Sequence, residues 1–207
     1  MGRITIIAAA AILLAMPAIA QNLLVNPGFS LADQLTGWTC TTTNGLASWS
    51  ALDRLNTPDS GSMQHDTASP SNNAYMWCAQ CVLVGEGQEH IASGWYYWPD
   101  DPDVSQQGST RASFWFLENL DCTGTSVPGP TETSNPVLDT WTHIQTDAVA
   151  VPTGFQSAIV YFGTWQNLAD EPVRVRLDDL DFRVNPDFIF ANGFESGGTG
   201  AWSTTSS

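Results

Sequence analysis

The chain of 207 residues contains no lysine; its 6 basic residues are all arginines and stand against 21 Asp and Glu, for a formal net charge of −15. That balance argues against polyphosphate partners, because nucleic-acid binding needs clustered Lys and Arg to displace counterions. An anionic membrane surface would be repelled by the same field. Beyond residue 20 no run is apolar enough to span a bilayer, so membrane insertion is not expected. Long stretches with a 3.6-residue apolar period are also missing, so no long amphipathic helix is expected. The only histidines, His65, His90 and His143, sit in no nucleophile elbow and no HExxH pattern, and catalysis therefore has no anchor in the sequence. Carboxylates do cluster, as Glu86 with Glu89 and Asp100, Asp101 with Asp103, but these stretches read as solvated loops. Asp178 and Asp179 are neighbours on a predicted strand, so they point to opposite faces and cannot span a cleft as a glycosidase pair must. A non-catalytic role is the expectation.

What is present begins with Arg3, the apolar run Ile4 to Met16 and then Pro17-Ala18-Ile19-Ala20. A positive start, a short apolar stretch and small residues at Ala18 and Ala20 predict a signal peptide over residues 1–20, cut before Gln21. The chain is therefore expected to be secreted: extracellular, periplasmic or at the cell surface. Four cysteines, Cys40, Cys78, Cys81 and Cys122, all lie in the exported part, and an even number in an oxidising compartment predicts two disulfides among three possible pairings. Cys78-x-x-Cys81 has the spacing of a zinc site, but no second CxxC exists and export favours oxidation. Residues 21–185 suit one domain. Residues 186–207 read as a Gly/Ser-rich tail, in which Asn192-Gly193-Phe194 and Gly200-Ala201-Trp202 echo Asn26-Pro27-Gly28-Phe29 and Gly37-Trp38 near the start.

Short apolar or aromatic runs alternate with Gly, Pro, Asn, Ser and Thr clusters. Ile91 to Trp98, Arg111 to Leu117, Trp141 to Ala150, Ser157 to Thr164 and Val173 to Val184 are predicted strands, bounded by turn signals such as Pro99-Asp100-Asp101-Pro102 and Pro152-Thr153-Gly154. This punctuation indicates an all-β sandwich or barrel. Alternation puts Ala112, Phe114 and Phe116 on one face, and Ser113, Trp115 and Leu117 on the other. Ala158, Val160 and Phe162 repeat the apolar face, as do Val173, Val175 and Leu177 against Arg174, Arg176 and Asp178.

The opening Asn22-Leu23-Leu24-Val25-Asn26-Pro27-Gly28-Phe29, followed by Gly37-Trp38-Thr39, resembles the start of family 4/9-type carbohydrate-binding modules, which are galactose-binding-like jelly rolls. Later segments come in the family's order: Gln80-Cys81-Val82-Leu83-Val84 and Ser93-Gly94-Trp95, then Phe114-Trp115-Phe116 with Asp121-Cys122-Thr123-Gly124, then Trp141-Thr142, and finally Arg176-Leu177-Asp178-Asp179-Leu180. The resemblance spans about Asn22 to Val184, and the order of the motifs is what makes it specific. It implies a jelly-roll β-sandwich of two antiparallel sheets, with Asn26 to Phe29 lying near Leu177 to Leu180. Within that scheme Cys81 pairs with Cys122 and Cys40 with Cys78, the main competitor being a Cys78–Cys81 bond.

The resemblance also implies a poly- or oligosaccharide partner. Such modules combine aromatic platforms for the C–H face of a sugar with polar groups for its hydroxyls. Trp95 and Tyr97 share one side of their strand, Trp115 lies on the non-core side of another, and Tyr161 and Trp165 project from a third and its end. These five are the expected ligand-binding residues, the alternative being that the rings fill an interface or lie under loops. A structural calcium is a further implication, since related modules hold one between the first and last strands with oxygen ligands. Asp178 and Asp179 occupy the matching end, and Ser30 stands where the family often has Glu. The competing function is a cell-surface structural or adhesion β-sandwich that binds a protein partner.

Overall fold

The computed structural model describes residues 21–43, 45–67, 75–104, 106–167 and 172–186. The expected signal peptide, residues 1–20, and all of the tail but residue 186 lie outside the described residues. Among those described, the strands are β1 (Thr39–Thr42), β2 (Gly45–Ser50), β3 (Ser62–Thr67), β4 (Tyr75–Leu83), β5 (Glu89–Tyr97), β6 (Gly108–Leu117), β7 (Ser126–Ser134), β8 (Thr142–Gln145), β9 (Val149–Ala150), β10 (Ser157–Gln166) and β11 (Val173–Val184). They form two antiparallel sheets, a 5-stranded one in the order β1-β4-β10-β6-β7 and a 6-stranded one in the order β2-β3-β11-β5-β8, with β9 also pairing β5. The architecture is an all-β jelly-roll sandwich. Among the described residues no helix is long and apolar enough to cross a membrane.

Alternating apolar residues generate the layer between the sheets. Ala112, Phe114 and Phe116 of β6 and Ala158, Val160 and Phe162 of β10 meet Tyr96, Val175, Leu177 and Phe182 of the opposite sheet, all of them buried. Phe114 bridges the two halves, with ring centroids 5.4 Å from Phe116 and 5.1 Å from Phe182. Burial of each such side chain contributes roughly 1.5–3 kcal/mol, enough to fix strand register.

Several elements depart from the sequence reading. The predicted strand from Trp141 to Ala150 is broken into β8 and β9. Strands β1, β2, β3 and β7 carry few apolar residues and gave no periodic signal. β7 contains Pro128 and Pro130, which cannot donate to a ladder, and it accordingly sits at a sheet edge. In β11 the register shifts between Asp178 and Asp181, and Asp179 adopts φ 45°. The extra residue resets the alternation, so that Leu177, Leu180 and Phe182 all reach the core.

The amino-terminal segment lies against the end of β11: Leu180 N–H donates to the Pro27 carbonyl at 3.0 Å and Leu23 N–H to the Phe182 carbonyl at 2.8 Å. Disulfides join Cys40 to Cys78, across the β1–β4 ladder, and Cys81 to Cys122, from β4 to the loop after β6. On β4, Cys78 is buried and Cys81 exposed, so the two face opposite ways and a Cys78–Cys81 bond would have to distort the strand. With all four sulfurs in disulfides, CxxC zinc binding is ruled out.

Candidate functional site

The outer face of the five-stranded sheet carries a groove of about 310 Å³ lined by Trp77, Arg111, Ser113, Trp115, Thr131, Tyr161, Gly163 and Trp165. Register explains the grouping. Trp77 of β4, Gly163 of β10 and Arg111 of β6 form one row across the sheet; Tyr161 and Ser113 form the next, continued by Thr131 of β7. Ile159 lies opposite Trp115 in the third. Each of these positions is out of phase with the core residues of its strand, so the same alternation that builds the interior builds the groove.

The aromatic rings support one another. Tyr75 stacks on Trp165 with centroids 5.1 Å apart and planes inclined by 26°, Tyr75 and Trp77 are 4.6 Å apart, and Trp77 lies 5.5 Å from both Tyr161 and Trp165. Trp115 is the most open, at 42% of its full exposure. Between the rings the hydroxyls of Ser113 and Thr131 are 2.8 Å apart. Gly163 keeps the floor clear, since a Cβ there would lie 2.8 Å from the Met76 carbonyl oxygen and 3.0 Å from Trp77 Cβ. Burial raises the Tyr161 hydroxyl above the ordinary phenol pKa, which leaves it a neutral donor.

The structure divides the five expected binding residues between two faces. Trp115, Tyr161 and Trp165 share the groove, whereas Trp95 and Tyr97 lie on β5 in the other sheet and take no part in it. Their surroundings are already filled. The Arg54 guanidinium lies 4.5 Å from the Trp95 ring and His143 packs 5.0 Å away. Tyr97 donates to Asp139 Oδ1 at 2.8 Å, with Trp141 5.5 Å away and Arg176 5.8 Å from its ring. The five residues expected as one ligand-binding set thus fall on two faces, because alternation gives the side of a strand and says nothing of the sheet the strand joins. Trp77 and Arg111 were missed, although Tyr75-Met76-Trp77-Cys78-Ala79 alternates as cleanly as the later half of β4.

No family model and no curated protein matches the chain. Solved structures do resemble it. Bacteriophage CBA120 tailspike protein 4, enzymatically active domain, matches with a TM-score of 0.58 at 15% identity over 79% of this chain, although the chain spans only 21% of that structure. TmCBM61, solved with beta-1,4-galactotriose, matches with a TM-score of 0.51 at 12% identity over 80% of this chain and 99% of its own length. The chain has the β-sandwich fold of carbohydrate-binding modules. The CBM22-1-GH10 modules of the Clostridium thermocellum endo-1,4-beta-D-xylanase 10B, solved with xylohexaose, match with a TM-score of 0.51 at 13% identity over 81% of this chain and 29% of theirs.

The expected calcium site does not fit the side chains that would form it. Asp178 is fully buried and its two oxygens accept the backbone N–H groups of Arg54 at 2.9 Å and Asp179 at 2.7 Å. The Asp179 carboxylate is paired with the Arg54 guanidinium at 2.6 Å. Ser30 directs its hydroxyl to Asp33 at 2.9 Å rather than toward Asp178. Among the described residues no group of three or more His, Cys, Asp or Glu could hold a metal ion. Arg54 supplies the positive charge at this end of β11. Nor does Asp178 pair with Arg174, which bonds Asp66 and Asp101 instead, or with Arg176, which reaches Ser50.

Proposed function

We propose that the protein is a secreted, non-catalytic carbohydrate-binding module that takes a poly- or oligosaccharide in the groove of the five-stranded sheet, related to the family 4/9 type. The observation that carries this reading is the meeting of Trp77, Tyr161, Trp165 and Trp115 with the Ser113 and Thr131 hydroxyls in one groove. Pyranose C–H faces pack on such rings, while the hydroxyls replace water at the sugar's edge. At about 310 Å³ the groove lies near the lower end of ligand sites, which span about 300–1,000 Å³. A short stretch of glycan therefore suits it. None of its lining residues is a carboxylate or histidine, so it has no pair for glycosidic hydrolysis. Secretion is supported by the leader-like start and by the two disulfides. Family kinship is supported by the order of the sequence motifs and by the contact of residues 26–29 with the end of β11. Calcium is left out of this reading, because Asp178, Asp179 and Ser30 each already have a partner within the protein.

A protein-binding adhesion surface would need a broad flat apolar patch. The large exposed apolar side chains instead sit on separate elements, among them Leu46 on β2, Leu83 on β4, and Leu120 and Val137 in loops. A glycan-array screen with the purified protein tests the proposal: retention of at least one glycan, lost on Trp115→Ala, is expected. Absence of retention across neutral and acidic glycans, with the protein folded, would overturn it.

A further inference from the structure

The groove contains one charged side chain, Arg111, and no carboxylate among the described residues pairs with it. Of the other described arginines, Arg54, Arg174 and Arg183 form ion pairs with Asp179, with Asp66 and Asp101, and with Asp181, while Arg176 donates to Ser50. Arg111 has neither an ion pair nor a hydrogen bond among the described residues. Its guanidinium lies 4.0 Å from the Trp165 ring centroid, and its Nε is buried without a hydrogen-bond partner. The carboxylate closest in register, Glu132, pairs with Ala112 on the core-facing phase, so it points away from the face that bears Thr131 and Thr133.

That isolation is unusual in a chain with 21 acidic residues and 6 basic ones. Burial lowers the Arg111 pKa from its ordinary value, yet a guanidinium stays protonated, so the positive charge persists in a partly dry site. A buried charge and a buried N–H without partners both carry a desolvation cost. A cation–π contact with Trp165 offsets part of it and also holds the guanidinium plane against the ring. Gly163, the residue between Arg111 and Trp77 in the same row, adds no side chain to the groove beside them.

Resting on the sugar-binding reading, we propose that the groove selects a glycan bearing an anionic sugar, a uronic acid whose carboxylate takes the Arg111 guanidinium while its ring lies against the neighbouring indoles. A carboxylate is planar and offers two oxygens at the spacing of the guanidinium fork, so one such group entering from the groove would take the two terminal nitrogens together. Ser113 and Thr131 are placed beside it for sugar hydroxyls.

The net charge refines the choice. A polymer with a carboxylate on every residue would meet the repulsive field of the whole protein, whereas one isolated carboxylate on a neutral backbone meets chiefly Arg111, because exposed charges beyond about 8 Å are screened at physiological salt. A largely neutral polysaccharide with occasional uronic acid substituents is thus preferred over a polyuronate.

The test is an array of matched oligosaccharides, such as xylo-oligosaccharides and galacto-oligosaccharides with and without a single glucuronic acid, together with an oligogalacturonate and a sulfated counterpart. The uronate-bearing member of a retained pair is expected to bind at least about tenfold more tightly at low salt, with the ratio shrinking at ~1 M salt. In Arg111→Gln the ratio should fall to about one, and Arg111→Lys should keep part of it. Thermal melting of both variants confirms folding, and the salt dependence of the unmodified protein gives a readout that needs no variant. A ratio near one in the unmodified protein, or a ratio unchanged in Arg111→Gln, would overturn the acidic preference and leave sugar binding standing. A stronger preference for the sulfated counterpart would overturn the choice of carboxylate. Absence of retention for every glycan would remove the sugar-binding reading itself, and this inference with it.

Discussion

The two outer faces of the sandwich carry the same kinds of residue and use them differently. On the six-stranded sheet Trp95 and Tyr97 are enclosed by Arg54, His143, Asp139, Trp141 and Arg176, and each charged neighbour is itself bonded to the protein. On the five-stranded sheet Trp77, Tyr161 and Trp165 pack into a wall that stops short of closing, Trp115 stands open, and Arg111 has no counter-charge among the described residues. The aromatic content of a face is therefore a poor guide to binding. What separates a packed face from a receptive one is whether its polar and charged groups have already found partners.

The largest expected effect contrasts the two faces directly. Trp115→Ala should weaken retention on an insoluble polysaccharide that the unmodified protein binds by roughly 30-fold or more, the scale of a hot-spot side chain, with an unchanged melting temperature. Trp95→Ala should do the reverse, leaving retention intact and lowering stability by about 1–3 kcal/mol in a denaturant titration. Equal loss of retention in both variants would erase the distinction.

A smaller effect is expected at Gly163. Its replacement by Ala puts a Cβ against the Met76 carbonyl and Trp77, shifting that ring, and binding measured by calorimetry should weaken by about tenfold. Undiminished affinity would mean that Trp77 is not held where the sugar needs it.

A third expectation concerns pH, because the strongly shifted buried groups belong to the six-stranded sheet. Complete burial on β3 pushes His65 down to about 3 from an ordinary 6.5. The unfolded chain gains this proton below 6.5 and the folded chain does not, so the contribution of His65 is present above that pH and is lost as pH falls toward 3. Asp178 has the opposite sign. Burial, reinforced by the nearby Asp179 and Asp53 carboxylates, pushes it up to about 7 from 3.8, so its contribution is present below 3.8 and is lost as pH rises toward 7. The two slopes oppose each other at intermediate pH. His65→Gln should unmask Asp178, giving a melting temperature that falls steadily from mildly acidic to neutral pH; a rise would contradict the assignment. Glycan retention should stay level over the same range.

The smallest effects test single contacts. Asp139→Ala should lower the Tyr97 pKa toward that of a free phenol, since the hydrogen bond to Asp139 is the main cause of its elevation, and ultraviolet titration would read the change. A chelator should leave the melting temperature where it is, because Arg54 already neutralises Asp179. A fall on chelation would restore calcium to this end of β11.

Much of the sandwich was legible because its central strands are periodic: Phe114, Val160 and Leu177 are core residues on alternation alone, and all three are fully buried. Strands β2 and β3 were not: β2 lies at a sheet edge and is partly exposed, and β3 buries the polar residues Ser62, His65 and Thr67, so neither leaves an apolar period to detect. The bulge at Asp179 was hidden for a related reason: an inserted residue breaks the pattern used to find the strand. Three of the groove residues, Trp115, Tyr161 and Trp165, were recognisable as outward-facing. Their association with Trp77 and Arg111, and their separation from Trp95 and Tyr97, depend on which strands pair across long loops. Sequence periodicity holds no record of that pairing.

The central claim is that the five-stranded face, and not the six-stranded one, receives the glycan. Titrating the protein with its tightest array oligosaccharide while following the tryptophan indole N–H signals by NMR tests it most directly. Trp77, Trp115 and Trp165 should shift together at the saturation set by the affinity, with Trp95 and Trp141 unmoved. Shifts confined to Trp95 and Trp141 would place the glycan on the opposite face and contradict the account.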